Sequence, residues 1–552
     1  MRLGIDIGGT HTDAVLVKDT EIRASAKAPT RHDNLIASIR ECLEQVLKQV
    51  DGSEVAIVNL STTLCTNAIV EHKLEPVGMF VSGGPGIPTS AYALGDHFTV
   101  LSGSIDHRGY EIQPLPEDAI EKQLQSFREQ SVRVFGVVTK FSPRNPAQEL
   151  SLQERVGAHA DFVTLGHNIS GSLNFPRRIA TVYFNSAVWR RYNSFLDAVV
   201  ENLEQFGISC QVNGVKADGG TMPLALAREI PVQSIFSGPS ASIMGIMALC
   251  PVEEDTLVLD IGGTTTDIAV FASGVPLLEP DGISIASRPT LVRALRARSI
   301  GVGGDSALRL EGDALTVGPD RLGPSMAAGG SQPTLTDALN VLKTAAFMNA
   351  EKSRIGMTTL AAQRGVDAET LSREAVKVAA SAICAQCRDF LDEINTKPVY
   401  TLHELLQERL VAPRSMIIMG GPAKAMAPHL QECFKIPVTV PPAYDVANAV
   451  GAAMTGTTLS LEIHADTPQG TLVVPSLGIH RSIPRSYSLD DGIRDARELL
   501  MGRMAELGLP IQEEDLQITQ ASSFNMVDGF ATLGRNIRVR CQTRPGVVRH
   551  LY

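Results

Sequence analysis

The chain is 552 residues long, 44% apolar and 20% charged, with a formal net charge of −11. That length exceeds the ~250–300 residues at which a single core stops growing, so more than one core is expected. Acidity without a long Lys/Arg block argues against nucleic acid or anionic membranes as main partners, and no stretch reaches the roughly 18 uninterrupted apolar residues of a membrane span. The expectation is a cytoplasmic α/β protein acting on a small ligand, since the first strand starts at Arg2 with no room for a leader before it.

Residues 2–28 read as a β-meander of three apolar runs, broken at Gly8-Gly9 and at Lys18-Asp19. The first break carries DIGGTHTD, residues 6–13, which returns almost unchanged as DIGGTTTD at residues 260–267. Each copy ends an apolar strand in an Asp, turns through two glycines, and supplies hydroxyls and a second Asp before the next strand. Exposed N–H groups of a Gly-rich turn attract anions, Thr hydroxyls add donors, and carboxylates hold the Mg²⁺ that accompanies a phosphate. The candidates are therefore Asp6, Gly8, Gly9, Thr10, Thr12 and Asp13 in the first loop, and Asp260, Gly262, Gly263, Thr264, Thr265 and Asp267 in the second. Two such loops mean two related domains.

Between the copies, apolar spacing predicts a helix over 35–47 and a buried strand over 55–60, then a helix opening at 61–70 with Ser61 or Thr62 as its cap. Strands are expected at 77–81, 132–139 and 162–165, alternating with polar helical stretches. A polar loop from Asn168 leads into the helix of Trp189, and its Arg177 and Arg178 face either an anionic substrate or solvent. Residues 231–249 read as a short strand and a helix faced by small residues, Ser240, Ala241, Ser242 and Gly245.

After the second loop, turn-to-helix junctions at 301–306 and 333–338 offer Gly303, Gly304, Asp305 and Asp337. A buried strand from Ser415 ends in Gly420-Gly421, and a second small-faced helix follows over 443–453. Residues 457–552 form a mixed α/β tail, with strands expected over 536–548 and no evident chemistry. The eight cysteines are scattered, and Cys384-Ala-Gln-Cys387 lies in a helical run over 370–394, so it reads as packing rather than a metal or redox site.

Phosphate loop, small-faced helix, phosphate loop, Gly-Gly strand end, small-faced helix: this order resembles the actin, sugar-kinase and Hsp70 ATPase superfamily. The resemblance implies two actin-like (RNase H-like) domains around a nucleotide cleft, residues 1–230 and 231–456, plus a small C-terminal α/β segment, 457–552. It also implies ATP and Mg²⁺ as cofactors, with Asp6 and Asp260 by the metal, Gly420–Ala423 by the adenosine, and 237–249 crossing 445–454 at a hinge.

More narrowly the chain is similar to the hydantoinase A/oxoprolinase family up to about residue 456, through GIDIGGTHTD, Ser61–Asn67, Ser237–Ala241, DIGGTTTD and Pro333–Ala338. It departs from the family pattern at 59–63, 301–306 and 322–326. The likeness implies an ATP-dependent hydrolase that opens a cyclic amide (a lactam, imide or hydantoin) by carbonyl phosphorylation. Asp6 and Asp260 would hold the metal, and Asp13, Asp267 or Asp337 would orient the nucleophile. A second hydantoinase-type subunit and an oligomer are implied as well. The alternatives are an ATP-dependent carboxylase subunit, a small-molecule kinase, or an ATP-driven regulatory switch.

Overall fold

The computed structural model describes residues 1–279, 281–396, 410–509 and 511–552. Two sheets are built in the same way around the two repeated segments. In the first, the central strand Arg2–Ile7 pairs antiparallel with His11–Lys18 and parallel with Ile57–Thr62; Glu21–Pro29 extends one side, Gln211–Val215 and Thr221–Pro223 the other. In the second, Thr256–Ile261 pairs antiparallel with Thr266–Ala272 and parallel with Ser415–Met419, with Val438–Thr439 beyond. The central strands are apolar runs buried on both faces, as a sheet covered by helices on both sides requires.

The predicted meander, the helix Leu35–Val46 and the strands Val77–Ser82, Val134–Thr139 and Phe162–Leu165 all form. The last three join Phe98–Val100 in a separate parallel sheet, against which the helix Phe175–Gln205 packs. Cys384 and Cys387 are free thiols buried in the second core on the helix Ala368–Asn395, in keeping with a packing role. Among the described residues no helix is long and apolar enough to cross a membrane.

Two local expectations differ. Ser61 and Thr62 belong to the strand Ile57–Thr62, where they pair with Asp6 and Ile7, so the next helix starts only at Leu64. Ladder hydrogen bonds there outweigh capping. Residues Pro231–Ser234 form a 3₁₀ turn rather than a strand, because Pro231 has no N–H to give a ladder.

The two halves meet through the helices Ser237–Leu249 and Ala447–Met454, which cross at backbone contact. A Cβ on Gly245 would lie 2.1 Å from the Ala447 carbonyl oxygen, and one on Gly451 would lie 1.9 Å from that of Ala241. The second helix also sits on the first sheet: a Cβ on Gly4 would come within 2.1 Å of the Ala449 oxygen. Asn59 Nδ2 donates to Ala452 O at 2.7 Å, and Arg2 Nε to Ala453 O at 2.7 Å. One apolar cluster accordingly mixes Val15 and Val17 with Ile243, Val258 and Ala449.

The C-terminal segment is a five-stranded antiparallel sheet backed by the helix Leu489–Glu506, with its own core of Leu461, Ile463, Leu500 and Val539. Its longest hairpin runs Leu516–Asp528 and Ala531–Thr543, so the final strand starts and ends earlier than the sequence suggests.

The helix crossing makes a stability prediction. Gly451→Ala is expected to cost ~1–3 kcal/mol, because the clash is with backbone that cannot swing aside. Gly502→Ala, on an exposed helix face with open space around it, should instead gain ~1 kcal/mol from helix propensity. Urea unfolding midpoints of the two variants check this; equal midpoints would contradict the close crossing.

Candidate active site

The register of each hairpin sets two carboxylates opposite one another: Asp6 pairs with Asp13, and Asp260 with Asp267. The turns between them close by the same bond, Gly8 N to His11 O at 3.0 Å and Gly262 N to Thr265 O at 2.9 Å. The loops face each other across the cleft, where Thr10 Oγ1 and Thr264 Oγ1 stand 3.4 Å apart. A side chain on Gly263 would run into Thr10, its Cβ only 2.9 Å from Oγ1, so glycine is required for this approach. Thr12 is buried beneath the first loop, bonded to Thr30 Oγ1, which in turn donates to Gly8 O.

Asn448, near the start of the helix Ala447–Met454, bridges the halves. Its Nδ2 lies 3.4 Å from Asp6 Oδ2 and 3.2 Å from Asp260 Oδ2, and Ser242 Oγ donates to that same Asp260 oxygen at 2.6 Å. Asp6 Oδ1 is buried and finds no donor among the described residues. Burial, with the charges of Asp13 and Asp260, pushes Asp6 up to about 7, although Ser61 and Asn448 donate to it. Burial and the charge of Asp260 raise Asp267 to about 7. Burial also raises Asp260, and carries Asp13 to about 6 against the pull of Lys27, whose ammonium lies 2.5 Å away. Four carboxylates so close together, with a single lysine at Asp13 and Asp6 Oδ1 lacking a donor among the described residues, fit a site for a hard divalent cation.

Among the described residues no group of three or more His, Cys, Asp or Glu forms a complete metal cage. This suits Mg²⁺, which takes one or two carboxylates and fills its remaining positions with phosphate oxygens and water. Asp6 and Asp260 approach the cleft from opposite halves and share Asn448.

Other expected residues fall at different distances from this centre. Gly420, in the left-handed region, lies against it: a Cβ there would be 2.8 Å from Asp260 Oδ1, whereas Gly421 faces open space. Gly303 and Gly304 do not offer free donors. Their amides are used by Ser306 Oγ at 2.8 Å and Gly262 O at 2.9 Å, so they brace the second loop from behind. Asp305 lies beside Gly263 and pairs with Arg321 at 3.2 Å.

Asp337 is fully buried and accepts from the backbone of Met326, Ala327 and Thr334 and from the hydroxyls of Thr334 and Ser353, at 2.6–3.0 Å. A carboxylate so saturated caps its helix and pins the 326–334 turn; it has no lone pair left to orient a nucleophile. Arg177 and Arg178 are engaged by backbone carbonyls rather than aimed at a ligand, and Arg178 also lies within the field of Glu149. Arg177 Nη1 donates to the carbonyls of Asp281, Gly282 and Thr290, and the fully buried Arg178 to those of Ser172, Thr139 and Lys140. Asn448, Lys27 and Arg321 went unnoticed in the sequence, and Ser242 stood out there only as a small residue on its helix, because none stands in a motif with the loops it serves.

The raised carboxyls carry a stability consequence. Asp6 binds its proton more tightly folded than unfolded, so between the unfolded value near ~4 and the folded value of about 7 stability falls as pH rises. Without divalent cation, Asp6→Asn is expected to stabilise the protein at pH 8, on the order of a few kcal/mol, and by roughly a third to a half of that at pH 5. Melting temperatures at the two pH values test this; a gain no larger at pH 8 than at pH 5 would contradict it.

Two family models match the chain: Hydantoinase/oxoprolinase N-terminal region over residues 2–159, and Hydantoinase/oxoprolinase over 178–459. Caprolactamase subunit alpha of Pseudomonas jessenii is 29% identical over 76% of this chain, which spans 65% of that relative's length. Among solved structures, nucleotide-free acetone carboxylase superposes with a TM-score of 0.70 at 15% identity, over 99% of this chain and 87% of the other. ATP-dependent caprolactamase from P. jessenii superposes with a TM-score of 0.66 at 19% identity, over 98% and 87%. The fold is thus the expected mixed α/β, actin-like ATPase arrangement. The matched models take in both loops, both crossing helices and the Gly420-Gly421 turn, and the chain belongs to the hydantoinase/oxoprolinase family.

Proposed function

We propose that this chain is the nucleotide-binding part of an ATP-dependent cyclic amide hydrolase. The observation that carries the reading is the pair of carboxylates Asp6 and Asp260, both raised by burial and held from opposite halves on one asparagine, with Asp6 Oδ1 lacking a donor among the described residues. Family membership and the likeness to caprolactamase subunit alpha support a lactam, imide or hydantoin as substrate. In this reading Mg²⁺ is the cation, the chain works in the cytoplasm, and a second hydantoinase-type subunit completes the enzyme as an oligomer. Residues 1–230 and 231–456 act as the two closing domains, with 457–552 attached beside them.

An amide resists water because resonance feeds its carbonyl. ATP with Mg²⁺ supplies the phosphoryl group that makes the carbonyl oxygen a leaving group, and neutralises the charge that builds during transfer. The chain's own part is positioning and electrostatics. The backbone amides of Gly9 and Thr10 and of Gly263–Thr265, which the turn-closing bonds of Gly8 and Gly262 leave over, bind phosphate oxygens, with the Thr10 and Thr264 hydroxyls between them. Asp6 and Asp260 hold the cation, and their burial makes them strong ligands for it. Asp13 and Asp267 stand opposite, suited to orient the attacking water and accept its proton. Gly421 leaves room for the adenosine. Motion of one half on the other at the Gly245–Gly451 crossing opens and closes the site.

Asp6→Asn and Asp260→Asn are each expected to lower Mg²⁺-dependent ATP turnover by more than about tenfold while the fold remains, since an amide keeps the shape and loses the charge. Turnover within tenfold of wild type in both would remove the metal assignment. The reaction itself is tested with substrate carrying ¹⁸O at the amide carbonyl, in bicarbonate-free buffer. The label should appear in inorganic phosphate in proportion to ring-opened product. ATP-coupled ring opening that yields unlabelled phosphate would rule out carbonyl phosphorylation.

A further inference from the structure

After the second loop the chain leaves its sheet at the strand Ala297–Ile300, passes residues 301–306, makes the hairpin Leu308–Glu311 and Ala314–Val317, and returns along residues 318–334 to the helix Leu335–Val341. The return is pinned at two places. Ala307 N donates to Asp320 O at 3.1 Å, and Met326 N and Ala327 N donate to the carboxylate of Asp337 at 2.9 and 3.0 Å. Arg321 stands between these pins. Asp305 lies within 301–306 and Arg321 adjoins 322–326, two of the segments in which the chain departs from the family pattern.

Asp305 aims the Arg321 side chain along the lip of the second phosphate loop. Its Oδ2 accepts from Arg321 Nη2 at 3.2 Å, and its backbone N donates to Gly263 O at 2.6 Å. The same Oδ2 lies 3.2 Å from the point where a Cβ on Gly263 would stand, and that point is 2.9 Å from Thr10 Oγ1 of the first loop. Three steps, none longer than 3.2 Å, thus lead from the guanidinium across the cleft mouth. The pair is not an ordinary surface contact. The Asp305 side chain is 13% exposed and that of Arg321 30%, whereas Arg309 and Asp320, a solvated pair on the same excursion, are 44% and 55% exposed.

Arg321 spends one of its five N–H donors on Asp305, and the other four meet no partner among the described residues. The first loop answers from the opposite side. Register sets Lys27 opposite Asp13 and Asp13 opposite Asp6, so Lys27, Asp13 and His11 share the strand face that carries Asp6. Lys27 is committed to Asp13 at 2.5 Å. Burial first, then the charges of Lys27 and Arg321, push the His11 imidazole down to about 4, so the charge of Arg321 is felt on the first loop although the residue belongs to the second half.

We propose that Arg321, aimed by Asp305, is the side chain that meets the terminal phosphate of a nucleoside triphosphate bound between the two loops. This rests on the nucleotide site proposed above and adds to it a residue outside both loops. A guanidinium is planar and permanently charged, so one edge stays on Asp305 while the free edge takes phosphate oxygens. Loop amides bind phosphates without distinguishing one from the next. A cation at the cleft mouth separates the third phosphate from the second, and the chain thereby prefers triphosphate to diphosphate. The same group faces the equatorial oxygens over which charge spreads during phosphoryl transfer.

Calorimetric titration of the full chain in Mg²⁺ with two probes tests this: AMPPNP, a slowly hydrolysed ATP analogue, and ADP, which lacks the third phosphate. Arg321→Gln is expected to weaken AMPPNP binding by about tenfold or more and to leave ADP affinity within about twofold of wild type. Arg321→Lys keeps the charge and loses the fork, so its AMPPNP affinity should fall between the two. Arg309→Gln, which removes the solvated neighbour, should change neither affinity, and ADP binding in each variant reports that the cleft has kept its fold. The assignment is overturned if Arg321→Gln leaves AMPPNP affinity intact or weakens both nucleotides alike. A wild-type chain that binds neither nucleotide would overturn the nucleotide site itself, and this assignment with it, so the two failures are told apart.

Discussion

Charge burial at Asp6 and Asp260 is the constraint on which the rest of the molecule turns. Each carboxylate stands at the end of a central strand and is raised by burial, Asp6 with Oδ1 lacking a donor among the described residues and with the charge of Asp260 nearby, Asp260 with Ser242 and Asn448 donating to one oxygen. Leaving such groups without a cation costs folding free energy, so the protein tolerates them only where a ligand recovers it. Asn448 limits the cost by donating toward both, and its place on the crossing helix ties that donation to the relative position of the two halves.

The helix crossing is the mechanical counterpart of this electrostatic arrangement. Ser237–Leu249 and Ala447–Met454 touch through backbone at Gly245 and Gly451, so little side-chain mass lies between them. A contact of this kind permits rotation of one half on the other but little separation. Through the same helix, Asn59 and Arg2 of the first sheet bind carbonyls near Asn448. Movement at the cleft and the distance between the two carboxylates are therefore coupled.

The C-terminal sheet adds a separate layer to the same frame. It carries its own core, yet its strand Ser460–Asp466 and the residues up to His480 close a cavity against the parallel sheet of the first half. His464 Nε2 lies 2.8 Å from Gly171 O, and burial first of all lowers that imidazole to about 4, which keeps it neutral beside the Glu462–Arg540 pair. His167 and Arg293, which line that cavity, come from segments far apart in the chain.

The sequence by itself determined the duplicated hairpins, the two phosphate loops and the small-faced helices, because each depends on neighbours within a dozen residues: strand alternation, a Gly-Gly turn, a run of small side chains. Family likeness added the order of these pieces and so the fold. What tertiary structure alone decided were the roles that depend on partners distant in sequence. Asp337 looks like a ligand carboxylate until five donors from 326–353 close on it. Gly303 and Gly304 look like phosphate donors until their amides are seen bonded to Ser306 and Gly262. Arg178 looks solvated until three carbonyls surround it. In the opposite direction, Asn448 and Lys27 are unremarkable letters that folding turns into a bridge and a counter-ion. Hydrogen-bond saturation is a property of a neighbourhood, and the chain's own order does not say which neighbours folding will bring.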